Sequence, residues 1–347
     1  MAYAAISKPS LHMNTKLYTG NGSAGNAQTG VGFQPDFLWI KNRTAAQEHW
    51  LADAVRGTTK FLESNSSNAE SSDGATGLAS FDSDGFTVNG SARTNQNSAS
   101  MVAWNWKANG SGSANTDGTI NSTVSVNTTA GFSIVSYTGN ATAGATVGHG
   151  LGATPDMIIV KVRSTSNNWA VYHKSMGATK AMYLDGTSAE TTDGWLNNTA
   201  PTSSVFTLSG GNYGNTSGNT HIAYCFAEKS GYSKFGIYEG NQNADGTFVY
   251  TGFKPAFVLS KDMDGAGENW FIHDNKRNSF NPTNTYLRPN LVNGDGTAHH
   301  YDFHSNGFKN RYAGGSLNSS GRTYLYMAFA EEPLVANVGA SIPATAR

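Results

Sequence analysis

The chain has 347 residues, only 14% of them charged, and its formal net charge is −1. No block of like charges occurs, so the sequence predicts neither a basic surface for nucleic acid nor a polybasic membrane patch. The lack of any run of eighteen apolar residues likewise predicts no membrane span. Cys225 is the only cysteine, which excludes an intrachain disulfide and is typical of synthesis in a reducing cytoplasm.

The first strong pattern along the chain is Gly32–Lys41, in which Pro-Asp precedes the apolar run Phe-Leu-Trp-Ile-Lys. Two more copies of this run occur, at Pro155–Lys161 and Pro255–Lys261. A tryptophan follows each of the three runs, at Trp50, Trp169 and Trp270. The copies recur at a spacing of about 100 to 120 residues, which indicates an array of one supersecondary unit. Apolar residues lie on both faces of each run, so we expect central strands covered on both sides.

Each copy contains about six short strand patterns and almost no helical periodicity. We therefore predict an all-β fold of three tandem β-sandwich repeats, jelly-roll or lectin-like in type. The segment 110–130 is rich in Asn, Gly, Ser and Thr, and we interpret it as a linker with one strand of its own. The other predicted boundaries are an N-terminal arm at 1–16, repeats at 17–109, 131–232 and 233–333, and a C-terminal tail at 334–347.

The lysine that ends each run and the tryptophan that follows it have two interpretations. A hairpin could place each ammonium beside an indole and form a sugar-stacking platform. Alternatively, the indoles are core residues with lysine stems lying over them. We favour the core, because positions kept in all copies are explained by a shared fold, whereas ligand specificity varies in loops. Trp50, Trp169 and Trp270 are therefore predicted to be inaccessible to solvent.

Among the variable loops, Trp195 and Tyr213 lie in polar company rich in Gly and Asn, where an aromatic has less reason to be buried. Exposed aromatics stack on the C–H edges of sugars while neighbouring amides bind hydroxyls, so these two are the candidate glycan-binding residues. The candidate metal ligands are His300, Asp302 and His304, which share one face of a predicted strand. Because no fourth ligand is visible, we predict no metal and no cofactor.

Catalytic motifs are not evident in the sequence. Paired carboxylates such as Asp82 with Asp84 occur, but glycoside hydrolysis needs two carboxyl groups at a defined separation across a cleft. The Asp-Gly sequences are interpreted as turns rather than calcium loops. Cys225 lies in an apolar strand and is predicted to be an inert buried thiol. We therefore predict that the protein is not an enzyme.

Three segments carry a resemblance to a known group of proteins: Tyr18–Gly22, Gly32–Arg43 and Tyr326–Pro333. They resemble repeated β-rich domains of unknown function in marine bacteriophage virion proteins, and the resemblance covers nearly the whole chain. It implies a tail-fibre-like or other surface component of the particle. It supplies no established catalytic residues that could be assigned to this chain.

On this resemblance we predict a structural protein on the virion surface, synthesised in the host cytoplasm. The favoured role is a tail-fibre or receptor-binding component that engages host-surface glycans through loops. A homo-oligomer, taken as a trimer, would multiply weak contacts, and the arm or tail would contact other virion proteins. One alternative is a capsid decoration, head-fibre or purely architectural tail protein. The other is a polysaccharide depolymerase, which requires an acidic cleft between the units.

Overall fold

The computed structural model describes residues 4–334, apart from the side chain of Asn212, and within them the fold is all β. This confirms the predicted all-β class. Five single helical turns interrupt the strands, at Pro9–Leu11, Gly74–Thr76, Ala92–Asn95, Asn212–Asn215 and Gly315–Asn318. No helix in the described part of the chain is long and apolar enough to cross a membrane.

The first unit comprises seven antiparallel strands, which are β1 (Met13–Thr19), β2 (Asn26–Thr29), β3 (Phe37–Asn42), β4 (Trp50–Asp53), β5 (Leu78–Asp82), β6 (Gly85–Val88) and β7 (Ser100–Trp106). They form a main sheet of order β1-β7-β3-β4 and a small sheet of order β2-β6-β5.

The second unit contains β8 (Ser113–Asn115), β9 (Ser122–Asn127), β10 (Phe132–Thr138), β11 (Ala145–Gly148), β12 (Met157–Val162), β13 (Ala170–His173), β14 (Lys180–Tyr183), β15 (Thr191–Thr192), β16 (Val205–Leu208) and β17 (Thr220–Phe226). Its main sheet has the order β15-β14-β13-β12-β17-β10-β9-β8, and its small sheet pairs β11 with β16.

The third unit contains β18 (Ser233–Glu239), β19 (Phe248–Tyr250), β20 (Phe253–Asp262), β21 (Trp270–Asp274), β22 (Tyr286–Leu287), β23 (Tyr301–His304), β24 (Gly307–Asn310) and β25 (Thr323–Pro333). The main sheet has the order β18-β25-β20-β21-β22, and the small sheet has the order β19-β24-β23. All three main sheets share one central order, β1-β7-β3-β4, β10-β17-β12-β13 and β18-β25-β20-β21.

Side chains alternate across each main sheet and so produce two layers of core. In β3, Leu38 and Ile40 pack with the small sheet of the first unit, whereas Phe37 and Trp39 belong to a different cluster. The second and third units have outer cores of their own built in the same way. The inward faces of all three main sheets contribute to one central core, which includes Trp104, Tyr224 and Met327. The three units therefore close around a common interior.

A repeated hydrogen bond joins each unit to its neighbour. The indole Nε1 of Trp169 donates to the carbonyl of Glu63, and that of Trp270 donates to the carbonyl of Tyr183, both at 2.9 Å. In the first unit, Nδ1 of His49 accepts a hydrogen bond from an indole, so its Nε2 carries the proton. That Nε2 lies 3.0 Å from the carbonyl of Arg288. The three contacts run in one direction and complete a ring.

The tryptophans expected to be equivalent are not all equivalent. Each repeated lysine is preceded by a residue that pairs with the next strand: Ile40 pairs with Trp50, Val160 with Ala170, and Ser260 with Phe271. Trp50 is therefore the counterpart of Ala170 and Phe271. His49 is therefore the counterpart of Trp169 and Trp270, and a shift of one residue moves a side chain to the other face of a strand.

Trp50 accordingly packs in the outer core of the first unit, where it stacks on Phe61 at 3.7 Å. Trp169 and Trp270 lie in the central core. All three indoles are at most 1% exposed, so the predicted burial is confirmed although the alignment of Trp50 is wrong.

Two predicted boundaries are also wrong. The described part of the arm, 4–16, is not detached: Ile6 packs into the central core and β1 begins at Met13. The predicted linker at 110–130 contributes β8 and β9 to the second main sheet, because Val124 pairs with Val135 and is buried in the outer core. Of the predicted tail, only Leu334 is within the described residues.

Candidate functional site

The repeated lysines have a structural role. Lys41, Lys161 and Lys261 are fully buried, and each Nζ donates to the carbonyl of the next residue at 2.7 to 2.8 Å. Burial lowers the pKa of each ammonium to about 8. Because neither these lysines nor the three tryptophans reach the surface, the run that carries them belongs to the core.

Trp195 is not exposed, contrary to the sequence-based expectation. It is 1% accessible and packs with Leu196, Phe206 and Leu208 in the outer core of the second unit, so it offers no face to a sugar. Tyr213 is half-buried against the same core, and its ring lies 5.1 Å from that of Tyr183. The polar residues around Trp195 form turns, and their polarity does not report the position of the indole.

Two of the candidate metal ligands, Asp302 and His304, lie on the third small sheet, and His300 comes just before its strand β23. Asp302 and His304 fall on the same face of β23, as alternation requires, but Nε of Arg311 lies 3.4 Å from Asp302. Within residues 4–334, no group of three or more His, Cys, Asp or Glu side chains is arranged to hold a metal ion. Cys225 is fully buried, and burial raises the pKa of its thiol far above the usual range.

The outer face of the third small sheet presents two exposed aromatic rings. Phe248 is 43% exposed and Tyr250 is 59% exposed, and both lie on β19. Val249 between them points inward and is buried. Residues two apart on a strand share a face and lie roughly 7 Å apart, so the two rings form an aromatic ledge.

Neighbouring strands complete this face. Phe248 pairs with Lys309, which pairs in turn with Asp302, and Tyr250 pairs with Gly307. Gly307 is required here, because a Cβ at this position would lie 2.0 Å from a backbone carbonyl oxygen. The ring of Phe248 lies 5.8 Å from that of His304 in an edge-to-face arrangement.

A polar cleft of about 410 Å³ shares this face with the ledge through Asp302. Asn281, His300 and Arg311 also line it. On the same side, Nζ of Lys309 lies 2.5 Å from Asp245 and holds the pKa of that carboxyl below its usual range. This face of the third small sheet therefore combines the flat rings of the ledge with neighbouring amide, imidazole and paired charged groups, and groups of these kinds bind sugars.

The other two units provide internal comparisons for the ledge. In the first small sheet, the positions of Phe248 and Tyr250 are occupied by Ala27 and Thr29. In the second they are occupied by Thr146 and Gly148. Because the small sheet forms without aromatics at these places in two units, folding does not require Phe248 and Tyr250 to be aromatic.

Comparison with known proteins places the whole of this architecture in one family. A family profile described as a domain of unknown function, DUF7483, matches residues 8–333. The chain belongs to this family. The DUF7483 match includes both the central core and the aromatic ledge. No curated protein and no solved structure matches the chain.

Sequence reasoning missed the ledge because the second strands of the units share almost no residues. The signal that could have revealed it is alternation in Thr247–Tyr250, where Phe and Tyr flank an apolar valine. From the sequence, either Val249 or the pair Phe248 and Tyr250 could face outward, since all three residues are apolar or aromatic. Only the pairing of β19 with β24 decides which side is exposed.

Proposed function

We propose that the protein is a structural component of a bacteriophage particle that binds host-surface glycan through the aromatic ledge of its third unit. The favoured location is a tail fibre or another receptor-binding part, where copies assemble into a homo-oligomer. The proposed glycan-binding site is thus the outer face of a sheet, and not the loops around Trp195 and Tyr213.

The observation that carries the binding role is the exposure of Phe248 and Tyr250 at positions that are small or polar in both other units. Exposed aromatic rings contribute little to folding, whereas they can stack favourably on the flat face of a sugar. The bacteriophage location is supported by the resemblance of the three sequence segments alone.

The outer core of the third unit supports a binding role in a second way. A ligand-binding face is most effective when its backbone does not need to be ordered on binding. The ledge lies on β19, whose inward-facing Val249 packs into the outer core of the third unit beside Phe308 of β24. A preorganised platform of this kind suits weak contacts that gain strength through many copies.

Glycan binding is tested by applying the purified chain to an array of bacterial envelope polysaccharides. Replacing Phe248→Ala and Tyr250→Thr, which reproduces the first unit, should weaken binding by roughly 10- to 100-fold, because each stacked ring contributes on the order of 1 kcal/mol. The matched control, Thr29→Ala on the first small sheet, should bind as the wild type does. Equal binding by the double variant would contradict the role of the ledge.

The location is tested separately by mapping the chain in intact particles by electron microscopy. Density at a tail tip or fibre is the expected result. A capsid location together with no glycan binding would favour the architectural alternative. Release of reducing ends from a bound polysaccharide would favour the depolymerase.

A further inference from the structure

A cavity of about 290 Å³ opens where the third unit meets the first, and we call it the junction pocket. Arg43 and Thr44 line it from the first unit, and Tyr286, Arg288, Asn293 and Asp295 line it from the third. Its volume is near the lower end of the range for small-molecule sites. The pocket therefore has room for a ligand of about one sugar ring.

Arg288 has an unsatisfied donor at this pocket. One of its Nη atoms donates to the hydroxyl of Tyr286 at 3.0 Å, and its guanidinium lies 5.1 Å from the centre of the Tyr286 ring. Its Nε is shielded from solvent and has no hydrogen-bond partner among the described residues. A shielded donor without a partner costs free energy, and the described residues supply no acceptor for it.

The carboxylate in the pocket does not neutralise Arg288. Asp295 is held by Nε of Arg43 at 2.7 Å and by a guanidinium nitrogen of Arg277 at 3.1 Å. Both of its oxygens are therefore already paired with arginine. The pocket keeps a positive excess centred on Arg288.

The junction between the first and second units repeats the carboxylate held by two arginines, since Glu70 pairs with Arg163 and Arg56, but it lacks a counterpart of the Arg288 guanidinium. Between the first and second units, Arg163 makes two 2.9 Å hydrogen bonds to Glu70, through Nε and one Nη. The strand pairing places Glu63 and Tyr183 at the position of Arg288. Position 288 is thus acidic in one unit and neutral in another, so the guanidinium is not a requirement of the shared fold.

The lining indicates the class of ligand. A guanidinium pairs with planar carboxylates through parallel hydrogen bonds. The nearby carboxylate of Asp295 would repel a doubly charged phosphate more than a singly charged group. The amide of Asn293 and the hydroxyl of Thr44 can bind sugar hydroxyls, and both line the same cavity.

We propose that the junction pocket binds the carboxylate of an acidic sugar, with Arg288 as its principal partner. The choice of a sugar, rather than another carboxylate, rests on the glycan-binding function proposed above. The ledge then contacts apolar sugar faces, and the junction pocket selects glycans that contain uronic acids.

The test is a ligand-detected NMR titration of the full chain with sodium glucuronate, glucose and inorganic phosphate. Glucuronate should bind at least tenfold more tightly than either of the others. Arg288→Met should weaken glucuronate binding at least tenfold, and Arg288→Lys should weaken it less. Arg93→Met is the matched control, because Arg93 lies over Phe61, which is the counterpart of Tyr286 in the first unit, and it should leave binding unchanged.

Several results would overturn the proposal: no glucuronate binding by the wild type, equal affinity for glucose or phosphate, or full affinity in folded Arg288→Met. Melting temperatures establish that each variant is folded, and Arg288→Lys replaces Arg288→Met if the latter is not. The Phe248→Ala, Tyr250→Thr variant should keep its affinity for glucuronate. If the wild type binds glucuronate but no polysaccharide on the array, the glycan-binding ledge alone is rejected. If it binds the array but not glucuronate, the junction pocket alone is rejected.

Discussion

At the scale of single residues, burial controls the protonation of basic side chains in this protein. His173, His221 and His273 are fully buried, and burial lowers the pKa of the first two to about 4 and that of His273 to about 3. The ring of His221 stacks on Tyr137 with centroids 5.0 Å apart. These imidazoles are neutral in the folded protein at pH values where they would be charged in an unfolded chain.

Acidification should therefore destabilise the fold below about pH 6.5, the ordinary pKa of histidine. Between the unfolded and folded pKa values the unfolded chain binds more protons, so the free energy of unfolding falls as the pH falls. Urea unfolding at pH 7.5 and pH 5.5 should differ by roughly 1 kcal/mol per buried histidine. His221→Phe keeps a stacked ring without a titrating group and should reduce the difference. A stability that is the same at both pH values would contradict this account.

Single residues also show where sequence reasoning is reliable. The burial of Trp50, Trp169 and Trp270 follows from their place in apolar strands, and it is predictable. The burial of Trp195 is not, because it is fixed by the approach of Phe206 and Leu208 on the next strand, β16, in the folded unit. The Gly- and Asn-rich composition around Trp195 predicts a turn, but it carries no information about that approach.

At the scale of elements, the junctions between units differ in chemistry although they occupy equivalent places. Arg56 bonds the carboxylates of Asp53 and Glu70 and the hydroxyl of Tyr224 across the first junction. Arg56 comes three residues after Asp53, whose counterpart on β13 is His173. Three residues after His173 the second unit has Met176, which packs in the central core. The same turn therefore supports either a buried ion-pair network or an apolar contact.

Removing one member of the ion-pair network should be costly. Arg56→Met leaves the fully buried carboxylate of Asp53 without its cation, and we expect a loss of roughly 3 to 5 kcal/mol in the free energy of unfolding. Asp53→His combined with Arg56→Met imitates the second unit and should recover part of this loss. The control Met176→Leu should cost less than about 1.5 kcal/mol. Urea denaturation measures all three, and an Arg56→Met loss below 1 kcal/mol would refute the expected role of the network.

The elements themselves were largely predictable, since the closing strands and the Pro-led strands lie where alternation and turn residues place them. Their register was not. Counting from Lys41 to Trp50 gives no warning that His49 is the counterpart of Trp169, because only hydrogen bonds between strands fix which face a residue occupies. Similarly, β8 and β9 resemble a linker in composition and become strands only by pairing with β10.

At the scale of the whole molecule, three sheets share one interior. Apolar residues on both faces of the Pro-led strands predict that these strands are covered on both sides, but they do not predict that the other two units supply the second cover. The chain thereby forms within itself a threefold arrangement that many proteins obtain by trimerisation. Near-equivalent outer faces result, and the third differs from the others in its aromatic ledge.

Hydroxyl-radical footprinting with a glycan selected from the array tests most directly whether this one face is the recognition surface. The account predicts that bound glycan protects Phe248 and Tyr250 from oxidation. Leu11 in the first unit and Ile237 on the main sheet of the third are also exposed, and they should be oxidised at unchanged rates. Unchanged oxidation of Phe248 and Tyr250 in the presence of saturating glycan would contradict the account.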